Sequence, residues 1–190
     1  MNMKITPSVR YLCESAGELL LQLLDYDKMT FYHSINTAIC TYQICTSLDI
    51  AADISEEIIL GALLHDVGKM DCPIEILQKN GSLTEEEYDI IKEHPLAGLK
   101  YVNRFSDTVK KCVEFHHERN NGTGYPHGFI QCKIPWQAQI VGIADSYAAM
   151  TEGRIYEKAV SKNTAILELQ NEKYNSKYVE KLKNIALGNS

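Results

Sequence analysis

The chain has 190 residues, 45% hydrophobic and 23% charged, with a formal net charge of -6. This length suits one domain with a substantial core, and the acidic balance argues against broad electrostatic binding to duplex nucleic acid or to an anionic membrane. No apolar run approaches the ~18 residues of a membrane span. Residues 1–10 lack the charged and apolar regions of a secretory signal, so a cytoplasmic setting is expected. The six cysteines are scattered without a C-x-x-C pair, which predicts reduced, packed thiols.

Helical periodicity runs nearly throughout and no alternating strand pattern appears, which predicts an all-α helical bundle. Pro7 suits a first helical position, and Val9, Leu12, Ala16, Leu19, Leu20 and Leu23 follow at helical spacing. A second helix is expected from about Thr30 to Leu48, with Ile35, Ala38, Ile39, Tyr42, Cys45 and Leu48 on one side and His33 near its start. Asp53 with Glu56 reads as a capping box for a helix ending at His65-Asp66, and Gly68 as a left-handed stop after it. Asn80-Gly81 marks a turn, and Thr84 with Glu87 is a second capping box for a helix running into His94. Pro95 starts a segment through about Phe105. Ser106 caps a helix carrying Val109, Cys112 and Val113 to His116-His117.

From Glu118 to Ile134 the period breaks into a turn-rich loop, Asn120 to Gly128, of the kind that is functional or flexible. Pro135 opens an apolar helix, Trp136 to Met150, with Asp145 in its interior. Two polar helices, roughly Thr164–Glu172 and Ser176–Leu187, finish the chain. No repeat or linker divides it.

The chemistry concentrates in a few residues. His65-Asp66 ends an apolar run, and burying this pair is costly unless a metal or a partner neutralises it. Asp145 poses the same problem inside an apolar helix. Neighbours on a helix point about 100° apart, so His65 with Asp66, and His116 with His117, can share one centre only from a helix end. His94, immediately before Pro95, also stands at a helix boundary. A two-metal phosphoesterase needs such convergence, because two divalent ions roughly 3.5–4 Å apart activate a hydroxide and clamp the phosphate. Imidazoles suit transition metals, and a bridging carboxylate lowers the repulsion between the ions.

The order of these residues resembles the HD-domain metal phosphohydrolases, and more narrowly their HD-GYP branch, from about Asp27 to Ala159. The matching text includes Leu63-Leu64-His65-Asp66-Val67-Gly68-Lys69, Gly81-Ser82-Leu83-Thr84-Glu85-Glu86 and Lys92-Glu93-His94-Pro95 with Gly98. It continues with His116-His117-Glu118-Arg119, Gly122-Thr123-Gly124-Tyr125-Pro126, Ile143-Ala144-Asp145, Met150-Thr151 and Arg154 with Tyr156. Of the six histidines only His127 falls outside positions the family uses as ligands. The resemblance implies His33, His65, Asp66 and Asp145 around one metal and His94, His116 and His117 around a second, with Asp66 bridging. Iron or manganese is the expected metal. It implies hydrolysis of cyclic di-GMP to the linear dinucleotide, and on to GMP in some members, by a metal-bound hydroxide attacking phosphorus. Lys69 would neutralise a phosphate oxygen, and Arg154 would contact phosphate or guanine. On this reading residues 1–26 form a helix packed on the domain, 27–160 the catalytic core and 161–190 helices completing the bundle, one domain overall.

Some family members bind a third metal through a Glu four residues before the first His, where this chain has Met29, so two metals are expected. Asn120, Asn121, Ala148 and Glu157 also depart from the family pattern without removing a ligand. The Gly124-Tyr125-Pro126 turn is intact, and the resemblance offers it either as a wall of the pocket or as a dock for a diguanylate cyclase domain. A homodimer is a further expectation. Alternatives are a dinuclear hydrolase of another nucleotide or cyclic dinucleotide, a non-catalytic signalling module, or a di-iron oxygenase on the same scaffold.

Overall fold

The computed structural model describes residues 7–152, 159–171 and 173–188, with side chains from residue 14 onward. Among them the chain is all-α, with helices α1 (Pro7–Tyr26), α2 (Lys28–Ser47), α3 (Ala52–Leu64), α4 (Ile74–Leu77), α5 (Glu85–Lys92), α6 (His94–Gly98), α7 (Asp107–Phe115), α8 (Trp136–Glu152), α9 (Lys162–Leu169) and α10 (Ser176–Leu187). Short 3-10 turns at Val67–Asp71 and Gln131–Lys133 were not legible as separate elements. An isolated antiparallel bridge joins Asn121 to Ile130.

Capping chemistry sets most of the helix starts. Asp27 caps α2, its carboxylate accepting from the Thr30 N–H at 2.9 Å, so this helix begins ahead of Thr30. Thr84 and Glu87 form the expected reciprocal box on α5, and the Ser106 hydroxyl accepts from Val109 N–H at the start of α7. Asp53 forms no box. Ala51 takes the cap position without a side-chain bond, and Asp53 sits inside the first turn, where its charge suits the positive end of the helix. The segment after Pro95 is helical only to Gly98. Beyond it the bonds Leu99 N–H to Leu96 carbonyl, Tyr101 N–H to Gly98 carbonyl and Phe105 N–H to Val102 carbonyl carry the chain as turns. α8 runs two residues past Met150, and Ser161 starts α9 earlier than Thr164; Glu172 lies outside the described residues.

α2 packs on α3 and α8, α3 on α7, and α7 on α8, while α9 and α10 close over α8 and α2. The main core joins Ile44, Ile58, Ala62, Cys112, Ile140, Ile143, Leu169 and Leu182. A second cluster, with Leu64, Val67, Val102, Val109 and Val113, seats α1 against α3 and the 67–71 turn. Leu63 packs against both.

The buried side of α2 is not the apolar row expected from sequence. Ile39 and Tyr42 are 53% and 58% exposed, whereas Ser34, Thr37 and Thr41 are fully buried beside Ala38, Ile44 and Cys45. The helix is rotated so that His33 faces inward, and the residues sharing its stripe follow.

The described cysteines are free thiols, with Cys40, Cys45, Cys72 and Cys112 buried and Cys132 exposed. Burial pushes Cys40 up to about 12 and Cys45 up to about 11, which makes them inert packing groups. Among the described residues no helix is long and apolar enough to cross a membrane.

Candidate metal centre

The seven side chains expected as ligands converge where α2, α3, α7 and α8 meet. His65 is the residue after α3, Asp66 precedes the 67–71 turn, His94 opens α6 and His116-His117 follow α7. His33 and Asp145 project from within α2 and α8. Helix ends present adjacent residues to one point, as the 100° argument required.

Gly68 serves this convergence differently from expectation. It does not adopt the left-handed conformation. Instead a Cβ at this position would stand 2.0 Å from the His94 carbonyl oxygen and 2.5 Å from the Gly98 nitrogen. The turn after Asp66 therefore lies directly on α6, and this crossing brings Asp66 to His94.

Asp66 stands at the middle of the cluster. His94 Nε2 is 3.1 Å from its Oδ1 and His65 Nε2 is 3.2 Å from its Oδ2. Potential ligand atoms of Asp66, His94, His116 and His117 all lie within 4.8 Å of one another, and so do those of His33, His65 and Asp66. Asp66 alone belongs to both groups. Asp145 spans the other side, 2.8 Å from His33 Nε2, 3.8 Å from His117 Nδ1 and 3.9 Å from His65 Nε2.

The donor set fits divalent cations on a local argument. His94 Nδ1 is 2.7 Å from the Ile91 carbonyl and His116 Nδ1 is 2.8 Å from the Val113 carbonyl. A carbonyl only accepts, so both Nδ1 atoms carry the proton. In neutral rings both Nε2 atoms are then bare lone pairs, yet they face each other at 3.2 Å. Such a contact is repulsive between two neutral rings; a proton on one ring or a metal cation would relieve it, and burial, which disfavours the protonated rings, favours the metal. Buried His65 Nε2 and Asp66 Oδ1 likewise lack a hydrogen-bond partner of acceptable geometry. Orphaned buried polar atoms of this kind cost about 1–3 kcal/mol each, which coordination would remove.

The electrostatics agree with ligand states. Burial pulls His94 below its ordinary value against the pull of Asp66, and burial together with His65 and His94 holds His116 well below. Desolvation opposes ionisation of Asp66, but His65, Lys69 and His94 outweigh it and keep the carboxyl far below the usual range. Asp145 is held low in the same manner, chiefly by His33 and His117. His33 differs: burial works against its charged form, yet Asp145 and Glu152 raise it to about 9.

Around this centre the chain builds two adjoining cavities. One, of about 220 Å³, is lined by Met29, His33, Leu77, Leu83 and Glu152. The other, of about 400 Å³, is lined by His94, His117, Arg119, Tyr125 and Asp145. Lys69 borders both, its Nζ 2.7 Å from Asp66 Oδ2. Arg154 lies outside the described residues, as do Tyr156 and Glu157.

The 118–130 loop is tied to the turn carrying His116 and His117. Glu118, buried, accepts from the His127 and Phe129 N–H groups at 2.7 Å each. A Cβ at Gly124 would stand 2.4 Å from both Arg119 N and His117 O, so the loop lies on the backbone of His117–Arg119. Tyr125 stacks on His117 with ring centroids 4.5 Å apart. Two contributors are not assigned a role by the sequence: Glu118, and Glu152, whose Oε2 is 3.4 Å from His33 Nδ1. Glu152 follows Asp145 by seven residues, two helical turns on the same face, and that spacing was the available signal.

Comparison with known proteins agrees with this architecture. The HD domain model matches residues 19–182. A cyclic di-GMP phosphodiesterase of Pseudomonas aeruginosa is 34% identical over 77% of this chain and 36% of its own length. A 3'3'-cGAMP-specific phosphodiesterase of Vibrio cholerae is 31% identical over 83% of this chain and 37% of its own length. The chain thus spans little more than a third of these relatives. Among solved structures, an HDG"Y"P protein of Bdellovibrio bacteriovorus superposes with a TM-score of 0.67 at 26% identity, covering 80% of this chain and 51% of its own. With a ligand cluster, a bundle and a sequence match that coincide, the chain belongs to the HD-domain family, within its HD-GYP branch.

Proposed function

We propose that this chain hydrolyses a cyclic dinucleotide, cyclic di-GMP before others, with two divalent cations held by His33, His65, Asp66, His94, His116, His117 and Asp145. The observation that carries this reading is the facing pair of bare Nε2 atoms on His94 and His116, beside a carboxylate common to both ligand groups. When bound, the cations would supply an activated water-derived nucleophile and neutralise the phosphate; iron or manganese suits the imidazole-rich set.

The protein's own residues do the rest. His65, Asp66, His94 and His116, fully buried, form a dry floor on which charge–charge interactions are strong. Lys69, part-buried beside Asp66, would place its ammonium on a non-bridging phosphate oxygen and stabilise the extra charge of the transition state. The two cavities on either side of Lys69 would seat the two halves of the substrate, with Tyr125 as a wall of one. Hydrolysis forms the bond from water oxygen to phosphorus and breaks the bond from phosphorus to a ribose 3′ oxygen, which leaves with a proton. Arg154, two residues beyond α8, would contact phosphate or guanine.

Contacts of α1 with α2 and α3, and of α9 and α10 with α8 and α2, support treating 1–26, 27–160 and 161–190 as one domain. Because Tyr125 packs inward on His117, the reading gives it a pocket role; any docking of a diguanylate cyclase domain would fall to outward residues of this loop, such as Ile130. A cytoplasmic setting and a homodimer belong to the same proposal.

Protein loaded with iron or with manganese is incubated with cyclic di-GMP, and the products are resolved by chromatography. A linear dinucleotide is expected, and none with either metal would sink the reading. 3'3'-cGAMP, run in parallel, separates the second reading favoured by the Vibrio cholerae relative.

A further inference from the structure

His65, His94 and His116 each present Nε2 to the centre because a backbone carbonyl three residues earlier takes Nδ1–H, at 2.7 Å from Ala62, 2.7 Å from Ile91 and 2.8 Å from Val113. All three stand at or beyond a helix end, where the last carbonyls have no partner in the helix ladder. His33 has no such option. It is the sixth residue of the twenty-residue α2, where the preceding carbonyls belong to that ladder. Its Nδ1 instead faces Glu152, with Oε2 at 3.4 Å, a distance suited to an ion pair, while Nε2 faces Asp145 at 2.8 Å.

Glu152 is the last residue of α8, where the exposed carbonyls make a carboxylate locally unfavourable. Its position is accounted for by what it touches. Asp145 and Glu152, two turns apart on one face, flank the two nitrogens of a single ring.

We propose that Glu152 is the positioning residue for His33: its carboxylate keeps the proton on Nδ1 and fixes the ring plane, so that Nε2 is the atom offered to a cation. The side chain does the work that a carbonyl does for the other three histidines. Outer partners of this kind commonly tune metal affinity by about 10–100-fold. The inference rests on the metal reading above, and the test separates the two.

Metal-free wild type, Glu152→Ala and Glu152→Gln are titrated with manganese(II) by calorimetry, and the visible spectrum of each is recorded with cobalt(II). Circular dichroism of the metal-free proteins checks that each is folded. Wild type is expected to bind two ions. Glu152→Ala should weaken one site by about 10–100-fold, leave the other intact and alter the cobalt spectrum. Glu152→Gln, whose amide oxygen can accept from Nδ1–H in place of the carboxylate, should restore most of the loss. Unchanged affinities and spectrum in Glu152→Ala would overturn the proposal, and so would equal losses in the two variants, because a tautomer role requires rescue by an acceptor. Wild type that binds no cation would overturn the metal reading itself, and this inference with it.

Discussion

His65, His94 and His116 lean on backbone carbonyls, whereas His33 leans on the side chains of Asp145 and Glu152. The first half of the centre is part of the fold, since its orienting acceptors are present whenever α3, α5 and α7 are formed. The second half depends on side chains that single substitutions can remove. Electrostatics follow the same division. Burial holds His94 and His116 low, while the two carboxylates raise His33. A backbone-supported histidine is insulated from point mutation, and a side-chain-supported one is adjustable.

Removing the residue shared by both halves should have the largest effect. Asp66→Ala is expected to lose both cations by elemental analysis and to lower turnover by roughly 10³-fold or more, because nucleophile activation and charge neutralisation disappear together. Retention of one tightly held ion would show that the halves do not share this carboxylate. Lys69→Ala, which leaves every proposed ligand in place, should lower kcat by about 10²–10³-fold while two ions remain bound, as for loss of one preorganised charge donor. Steady-state kinetics alongside metal analysis separate this from ligand loss.

Gly68→Ala tests the backbone-supported half alone. Its methyl group would meet the His94 carbonyl at 2.0 Å, so the 67–71 turn and α6 must part. A loss of about 1–3 kcal/mol is expected in urea unfolding, with weakened binding at the His94 side. The pH dependence of metal-free protein tests the other half. His33 is raised from 6.5 to about 9 in the fold. Its stabilising contribution is therefore complete below pH 6.5 and is lost as pH rises through 9. Melting temperature should fall over that interval, and His33→Gln should flatten the slope; an unchanged slope in the variant would remove His33 as its source.

The gathering of seven side chains at one point was legible because few residue types carry this chemistry and because helix ends are readable from Pro95, Ser106 and the capping box at Thr84. The orientation of α2 was not. Its outward row of Ile39 and Tyr42 is more apolar than its inward row of Ser34, Thr37 and Thr41, and the inward row is the one that shares a face with His33. Gly68 departs from its expected left-handed role for a related reason: its missing side chain answers to α6, 26–30 residues along the chain, and not to its own helix. Glu152 lies beyond the expected helix end at Met150, and only the fold sets it with Asp145 on either side of His33.

The 118–130 loop carries one more consequence. Glu118 grips it by two N–H groups, Gly124 rests on the His117–Arg119 backbone, and Tyr125 lies flat on the His117 ring. No slack segment separates the loop from His117, so the two are expected to move as a lever and its fulcrum. A push at the outer rim of the loop should therefore reach His117.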